Sequence, residues 1–363
     1  MNKKYYIIVL TILTALSYSR SMEFTSCKTY VKVEKNLEKG EEFCLLALEK
    51  EPENAYIPYY MGRFIYRPQK RTADAGEMFK HALTLDDTKL EKPFRIGSGR
   101  EQIFIKTVHK AITLYGTDWF NYGVETEQNG NNEEAIKYLE MASVFDANLE
   151  GKCYSTIALI HFNTNNADLA FEYIDKAILS NYKDDDETIE YKMIKIMFLR
   201  NQQRIDEAFQ IYNSLPEEKL SGMQKYNLFL LHMDNDDCTN AINIGEELFI
   251  NLEADIKTPM EMLSEFAFNI AACFNHKGDV QYNEIIDYMG QTDKHSKDLT
   301  SGYIEKCENI KEFYSFAKDY FRLSLDYEEN PNQTTKDYKR KMRKNIRKID
   351  DTIIPTLSEL NKK

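Results

Sequence analysis

The sequence predicts an all-α chain, an α-solenoid of about six to seven stacked helical hairpins with a C-terminal helical cap. Three observations predict it. A set of small and large residues returns about every 35 positions across most of the chain. An apolar stripe of helical period, Phe313, Phe316, Ala317, Tyr320 and Leu323, follows the last return. The 363 residues are 42% hydrophobic and carry only 14 Gly and 8 Pro, which excludes collagen-like, Pro-rich and disordered chains. The 47 Lys+Arg against 59 Asp+Glu leave a net charge of −12, which argues against general nucleic-acid binding because phosphates need a basic face.

Lys3 and Lys4 precede the apolar run Tyr5–Leu16. A helix of that length is too short to cross a hydrocarbon core of roughly 30 Å. A basic start, a short apolar middle and the small residues of Ala15-Leu16-Ser17 predict a secretory signal peptide over residues 1–21. Phe24-Thr25-Ser26-Cys27 loosely resembles a bacterial lipoprotein box, although Arg20 and Glu23 separate it from the apolar run. Six cysteines occur: Cys27, Cys44, Cys153, Cys238, Cys273 and Cys307. None forms a C-x-x-C pair. A helical hairpin could join Cys27 to Cys44, and a loop of that size would stabilise by roughly 3 kcal/mol. Lipidation of Cys27 and a Cys27–Cys44 bond exclude each other, and both stay open at this point. The other four read as small, buried apolar residues.

The repeat is clearest at Trp119-Phe120-Asn121-Tyr122-Gly123, followed by Gly130, Ala135, Leu139 and Ala142. This stretch resembles the tetratricopeptide repeat, W-x2-L-G-x2-Y then A-x3-F over 34 residues. Tyr122, Thr126, Leu139 and Ala147 replace the Leu, Tyr, Phe and Pro of that pattern. Small residues at Gly123 and Ala135 let two antiparallel helices approach, and Trp119, Tyr138 and Leu139 fill the space between hairpins. One hairpin cannot bury its apolar face alone, so copies stack.

Further copies run through Tyr154, Ala158, Ala170, Ile174 and Ala177; through Ile196, Leu199, Ala208 and Tyr212, after the acidic insert Asp184–Glu187; and through Leu228, Phe229, Ala241 and Leu248. A weak one is expected at Ala271, Gly278, Ile286 and Tyr288. Upstream, Tyr59, Gly62, Ala75, Phe79 and Ala82 form a copy with a one-residue slip, preceded by a partial one that pairs roughly Phe24–Leu37 with the segment ending at Ala55. The resemblance thus predicts a repeat domain over 22–290, interrupted by an insert at 87–115. There Lys92-Pro93 and Gly97-Ser98-Gly99 read as a loop and Gln102–Leu114 as one extra helix. Residues 291–363 read as the cap: a long helix from Tyr303 to Leu325, a break at Glu328–Asn332, and a last helix from about Thr335.

No catalytic or metal motif stands out. The six His form no H-E-x-x-H, Cys273 and His276 lack partners for zinc, and the Gly-Ser-Gly lacks a phosphate-loop ending. Thr239 and Gly245 stand where a calcium loop beginning at Asp234 would need Gly and Glu. No cofactor is expected, nor catalysis.

In the repeat family, first helices of successive hairpins line a concave groove that binds peptides. The resemblance implies inward positions at Tyr56, Tyr59, Arg63, Tyr66, Arg67, Phe120, Asn121, Glu127, Lys152, Phe162, Asn163, Met193, Met197, Arg200, Tyr226 and Met233. Aromatic, Met and Arg side chains are common interface anchors, and packing between hairpins is their competing role. The Lys/Asn carboxylate clamp of some relatives is absent: Tyr59, Arg63, Phe120 and Val124 stand at those places. Lys336–Lys348 forms a strongly basic helix with Tyr338, Met342, Ile346 and Ile349 at helical spacing. It either docks on the acidic body or touches an anionic membrane or a partner. The functional expectation is a non-catalytic scaffold of a bacterial cell envelope, exported, with a protein or peptide as partner. The alternative is a membrane-tethered assembly factor anchored through Cys27.

Overall fold

The structure is a computed structural model that describes residues 21–97, 102–180, 185–291, 297–328 and 331–360. Residues 1–20 of the predicted signal segment, and Asp184 of the acidic insert, lie outside the described residues. The chain divides into two compact units, residues 1–191 and 192–363.

Six hairpins are described, α1/α2 (Met22–Thr29, Leu37–Lys50), α3/α4 (Tyr56–Met61, Thr72–Thr84), α6/α7 (Gly116–Gln128, Asn132–Phe145), α8/α9 (Glu150–Asn163, Ala167–Leu179), α10/α11 (Asp185–Asn201, Ile205–Tyr212) and α12/α13 (Gly222–Asp234, Cys238–Ala254). They share one turn. Lys35, Lys70, Gly130, Asn165, Gln203 and Asp236 each take a left-handed φ of 56–83° at the bend. The next residue's N–H then returns to a carbonyl of the finishing helix, as in Asn131 to Thr126 at 3.1 Å and Asp237 to His232 at 2.8 Å. Asn36, Asn131 and Asp237 cap the following helices by accepting from the backbone N–H three residues on.

In the first unit the core centres on Trp119, which is fully buried. Phe79 stacks on Tyr115 with centroids 4.8 Å apart and meets Trp119 and Phe145 edge-on. Helices close up where one residue is small: a Cβ on Gly123 would lie 2.7 Å from Leu139 Cγ, and one on Gly62 2.6 Å from Phe79 Cε1. Cys27 and Cys44, both fully buried, are joined by a disulfide across α1 and α2. Of the two exclusive expectations for Cys27, the structure has the disulfide.

The insert differs from expectation. Lys89–Ile96 (β1) and Ile103–Thr107 (β2) pair antiparallel, with Phe94 opposite Ile105 and Ile96 opposite Ile103. Only Val108–Thr113 (α5) is helical. The β-branched and aromatic run Ile-Phe-Ile-Lys-Thr-Val favours a pleated strand. Pro93, which looks like a loop marker, falls at the irregularity in the ladder between Lys89 and Phe94. Leu90 and Ile105 turn into the core, and a 2.6 Å ion pair from Lys28 to Glu91 ties the ribbon to α1.

The second unit also departs from the expected repeat. Met260–Gly290 is one unbroken helix (α14), with no turn where a further hairpin was predicted. It runs against Lys297–Tyr327 (α15). A lone Gly without Pro or Asn beside it costs only about 1 kcal/mol and does not stop a helix. Gly278 instead admits the Tyr314 ring, whose Cε1 would lie 2.7 Å from a Cβ there. The basic helix Gln333–Lys348 (α16) packs against α15, burying Met342, and continues through a wide turn into Ile354–Leu360 (α17). Its Tyr338 ring stacks on Phe321, and Lys341 reaches Asp279 at 3.1 Å. Among the described residues no helix is long and apolar enough to cross a membrane.

Candidate protein-binding site

The sixteen positions implied by the resemblance separate by burial. Tyr56, Tyr59, Tyr66, Met193 and Tyr226 are buried and pack between helices, because each stands where its helix meets the next. Tyr226, for instance, stacks on Phe229, meets Phe266 and accepts from Asn269 Nδ2 at 2.9 Å. Arg63, Arg67, Phe120, Glu127, Phe162, Arg200 and Met233 are half-buried, and Asn121, Lys152, Asn163 and Met197 are exposed. Several of these already have partners. Lys152 pairs with Glu187 at 2.9 Å in the first unit, and Arg200 with Asp234 at 2.6 Å in the second.

Arg63 and Arg67 lie beyond the regular part of α3, on a wide turn at Gly62–Tyr66 and the tight turn Arg67–Gln69. Such widened turns recur at functional sites. The Arg63 guanidinium donates to Tyr59 Oη and lies 4.9 Å from the Phe94 centroid and 5.0 Å from that of Phe64. No carboxylate among the described residues pairs with it. Arg67 lies 4.4 Å from the Tyr115 centroid and donates to Asp118 at 2.8 Å. Arg67 also borders an open cleft of about 600 Å³ with Lys70, Thr72, Trp119, Tyr122 and Glu125. Burial pushes the Tyr59 phenol up to about 12, so at neutral pH it is a neutral partner for Arg63 and cannot compensate its charge.

Two members of this cluster were not predicted. Phe94 belongs to β1, at a place where Lys92-Pro93 and Gly97-Ser98-Gly99 read in sequence as a loop. Tyr115 precedes Trp119 by four residues, a spacing that places both on one helical face. Among the described residues no three His, Cys, Asp or Glu side chains come together as a metal ion would require. The arrangement offers cation–π-supported guanidinium groups, suited to holding a carboxylate.

No family model matches the chain, and no curated protein matches it. Solved structures do. A tetratricopeptide repeat protein from Parabacteroides merdae is 14% identical, with 89% of this chain and 100% of that one covered and a TM-score of 0.36. A signal-transduction ATPase with a tetratricopeptide repeat sensor from Pyrococcus horikoshii is 15% identical over 94% of this chain and 48% of its own, at 0.40. PilF of Pseudomonas aeruginosa is 16% identical over 65% and 93%, at 0.30. At these scores the architecture rests on the chain's own helices, turns and spacings. By these the protein is an all-α chain of stacked, tetratricopeptide-like helical hairpins.

Proposed function

We propose that this chain is a non-catalytic scaffold that binds a protein segment on the first-helix face of its N-terminal unit, with Arg63 anchoring a carboxylate. The supporting observation is the half-buried Arg63 guanidinium, held by Phe64, Phe94 and Tyr59 and paired with no described carboxylate. A partly desolvated cation already fixed in place loses little entropy on meeting an anion, and it supplies the charge-assisted hydrogen bonds that dominate such contacts. Half-buried Phe120 and Phe162 on the first helices α6 and α8 would add apolar anchors. Lys3 to Ser17, with its basic start and short apolar run, supports export to the cell envelope as the setting.

The full chain, immobilised, is tested with peptides ending in Asp or Glu with a free C-terminus, and with the same peptides carrying Asn or Gln there and amidated, so that the terminal carboxylates are removed. Free-acid peptides are expected to bind at least tenfold more tightly. Arg63→Glu should abolish the difference, and Lys344→Glu on the basic helix should leave it intact. Equal binding of acid and amide, or unchanged discrimination by Arg63→Glu, would refute the anchoring role.

A further inference from the structure

Cys238 is the first residue of α13, directly after its capping Asp237, and it is partly exposed. Cys273 lies mid-way along α14, the helix packed against α13, and is buried. The same stretch of the two helices is bridged beside the sulfurs, where Lys277 Nζ donates to Thr239 Oγ1 at 3.3 Å. The two thiols lie on facing stretches of these helices, near enough to shift each other's ionisation in opposite senses, and both are reduced in the structure. We propose that Cys238 and Cys273 are a redox pair that closes to a second disulfide, stapling α13 to α14, when the chain meets a disulfide oxidant.

The two sulfurs differ in a way that fixes their roles. The neighbouring Cys273 thiol holds the Cys238 thiol below its ordinary range, while burial and the nearby Asp236 and Asp237 oppose this. A place at a helix N-terminus and the Lys277 ammonium act in the same direction as the Cys273 thiol. Cys273 is pushed up by the neighbouring Cys238 and by burial, so it keeps its proton. Cys238 is thus the attacking thiolate and Cys273 the resolving thiol.

The Cys238 thiolate attacks one sulfur of a small disulfide. That S–S bond breaks, and one thiolate leaves with a proton from solvent. Cys273 sulfur then attacks Cys238 Sγ in the mixed disulfide, and its proton goes to the second departing thiolate. Two electrons pass to the oxidant, which becomes two thiols, and one S–S bond forms in the protein. The established Cys27–Cys44 bond belongs to the other unit and takes no part.

The full chain is incubated with oxidised glutathione, alkylated, and mapped by peptide mass. The expected product is a Cys238–Cys273 linked peptide, with Cys153 and Cys307 still fully alkylated. Native Cys238 should react at least tenfold faster than buried Cys307 in Cys273→Ser, where it should stop as the glutathione adduct. In Cys238→Ser, Cys273 should stay unmodified. A glutathione adduct at Cys238 that persists in the wild-type chain, or equal oxidation of Cys273 in Cys238→Ser, would overturn the proposal. The wild-type map decides by itself should either variant lose its helical circular dichroism.

Discussion

Gly245 on α13 faces Phe229 on α12 so closely that a Cβ on the glycine would lie 2.8 Å from Phe229 Cε2. At the corresponding places of α6/α7 the sizes are reversed: Gly123 is small and Leu139 large. The α3/α4 hairpin follows the second arrangement with Gly62 and Phe79. What the hairpin requires is one small and one large residue across the interface, and either helix can supply either. Fixed interhelical distance makes the summed volume the constrained quantity.

Gly123→Leu is therefore expected to destabilise the first unit by about 1–3 kcal/mol through overpacking, and Leu139→Gly by about 3–5 kcal/mol through a cavity. The double variant should cost at least about 1 kcal/mol less than the two together, since contacting residues couple. Trp119, the sole tryptophan and buried nearby, reports this unit by fluorescence during urea unfolding. Additive losses would sink the size-exchange account.

The shared turn leads to a second expectation. Of the six left-handed bend residues only Gly130 is a glycine; Lys35, Lys70, Asn165, Gln203 and Asp236 hold that conformation with a side chain. Gly130→Ala should cost about 1 kcal/mol, and nothing lies within 4 Å of its Cβ position to confuse the result with packing. Lys70→Gly should stabilise by about 0.5–1 kcal/mol, because relief of the strained φ outweighs the added freedom of the unfolded chain. Urea midpoints followed at Trp119 test both signs.

These turns also show which parts of the fold were legible in the sequence. Gly130 announced its bend, and the Gly/Ala spacing located most hairpins, because close helix approach leaves few residue choices. The other five bends were invisible, since Lys, Gln, Asn and Asp are ordinary in helices and loops alike. Gly278 misled for a related reason. A glycine that admits the Tyr314 ring within a continuous helix looks, in sequence, like one that marks a repeat. The ribbon was not legible because Pro93 and the Gly-Ser-Gly marked a loop at its first strand, and the apolar residues of Gln102–Leu114 fit a helical stripe as well as a strand. At the site, Arg63 and Arg67 were legible as charged positions on a first helix. The platform of Phe94 and Tyr115 was not, because it comes from the insert and from the start of the next hairpin.

The Cys27–Cys44 bond should behave as a cross-link on the unfolded chain. It spans 17 residues, so Cys27→Ser/Cys44→Ser should lose about 3 kcal/mol by restoring the entropy of the open loop. The loss should appear in the Trp119 transition and be reproduced by adding reductant to the wild-type chain. Reductant that leaves the wild-type transition unmoved would mean that the bond contributes nothing.

Alkaline pH offers a test of the buried tyrosines. Burial pushes Tyr59, Tyr212 and Tyr226 up to about 12, against about 10 for an exposed phenol. The unfolded chain then releases these protons first as pH rises. Their contribution is whole below pH 10 and drains between 10 and 12, at about 1.4 kcal/mol per unit for each tyrosine. Stability should be flat up to pH 10 and fall steeply beyond it, with tyrosinate absorbance lagging until the helical signal collapses. In Tyr59→Phe the neutral-pH stability should drop by about 1 kcal/mol, from the lost bond to Arg63, while the slope of the Trp119 transition midpoint between pH 10 and 12 becomes shallower. An unchanged slope would mean that Tyr59 ionises freely in the folded chain, which its 1% exposure and its place beneath Arg63 contradict.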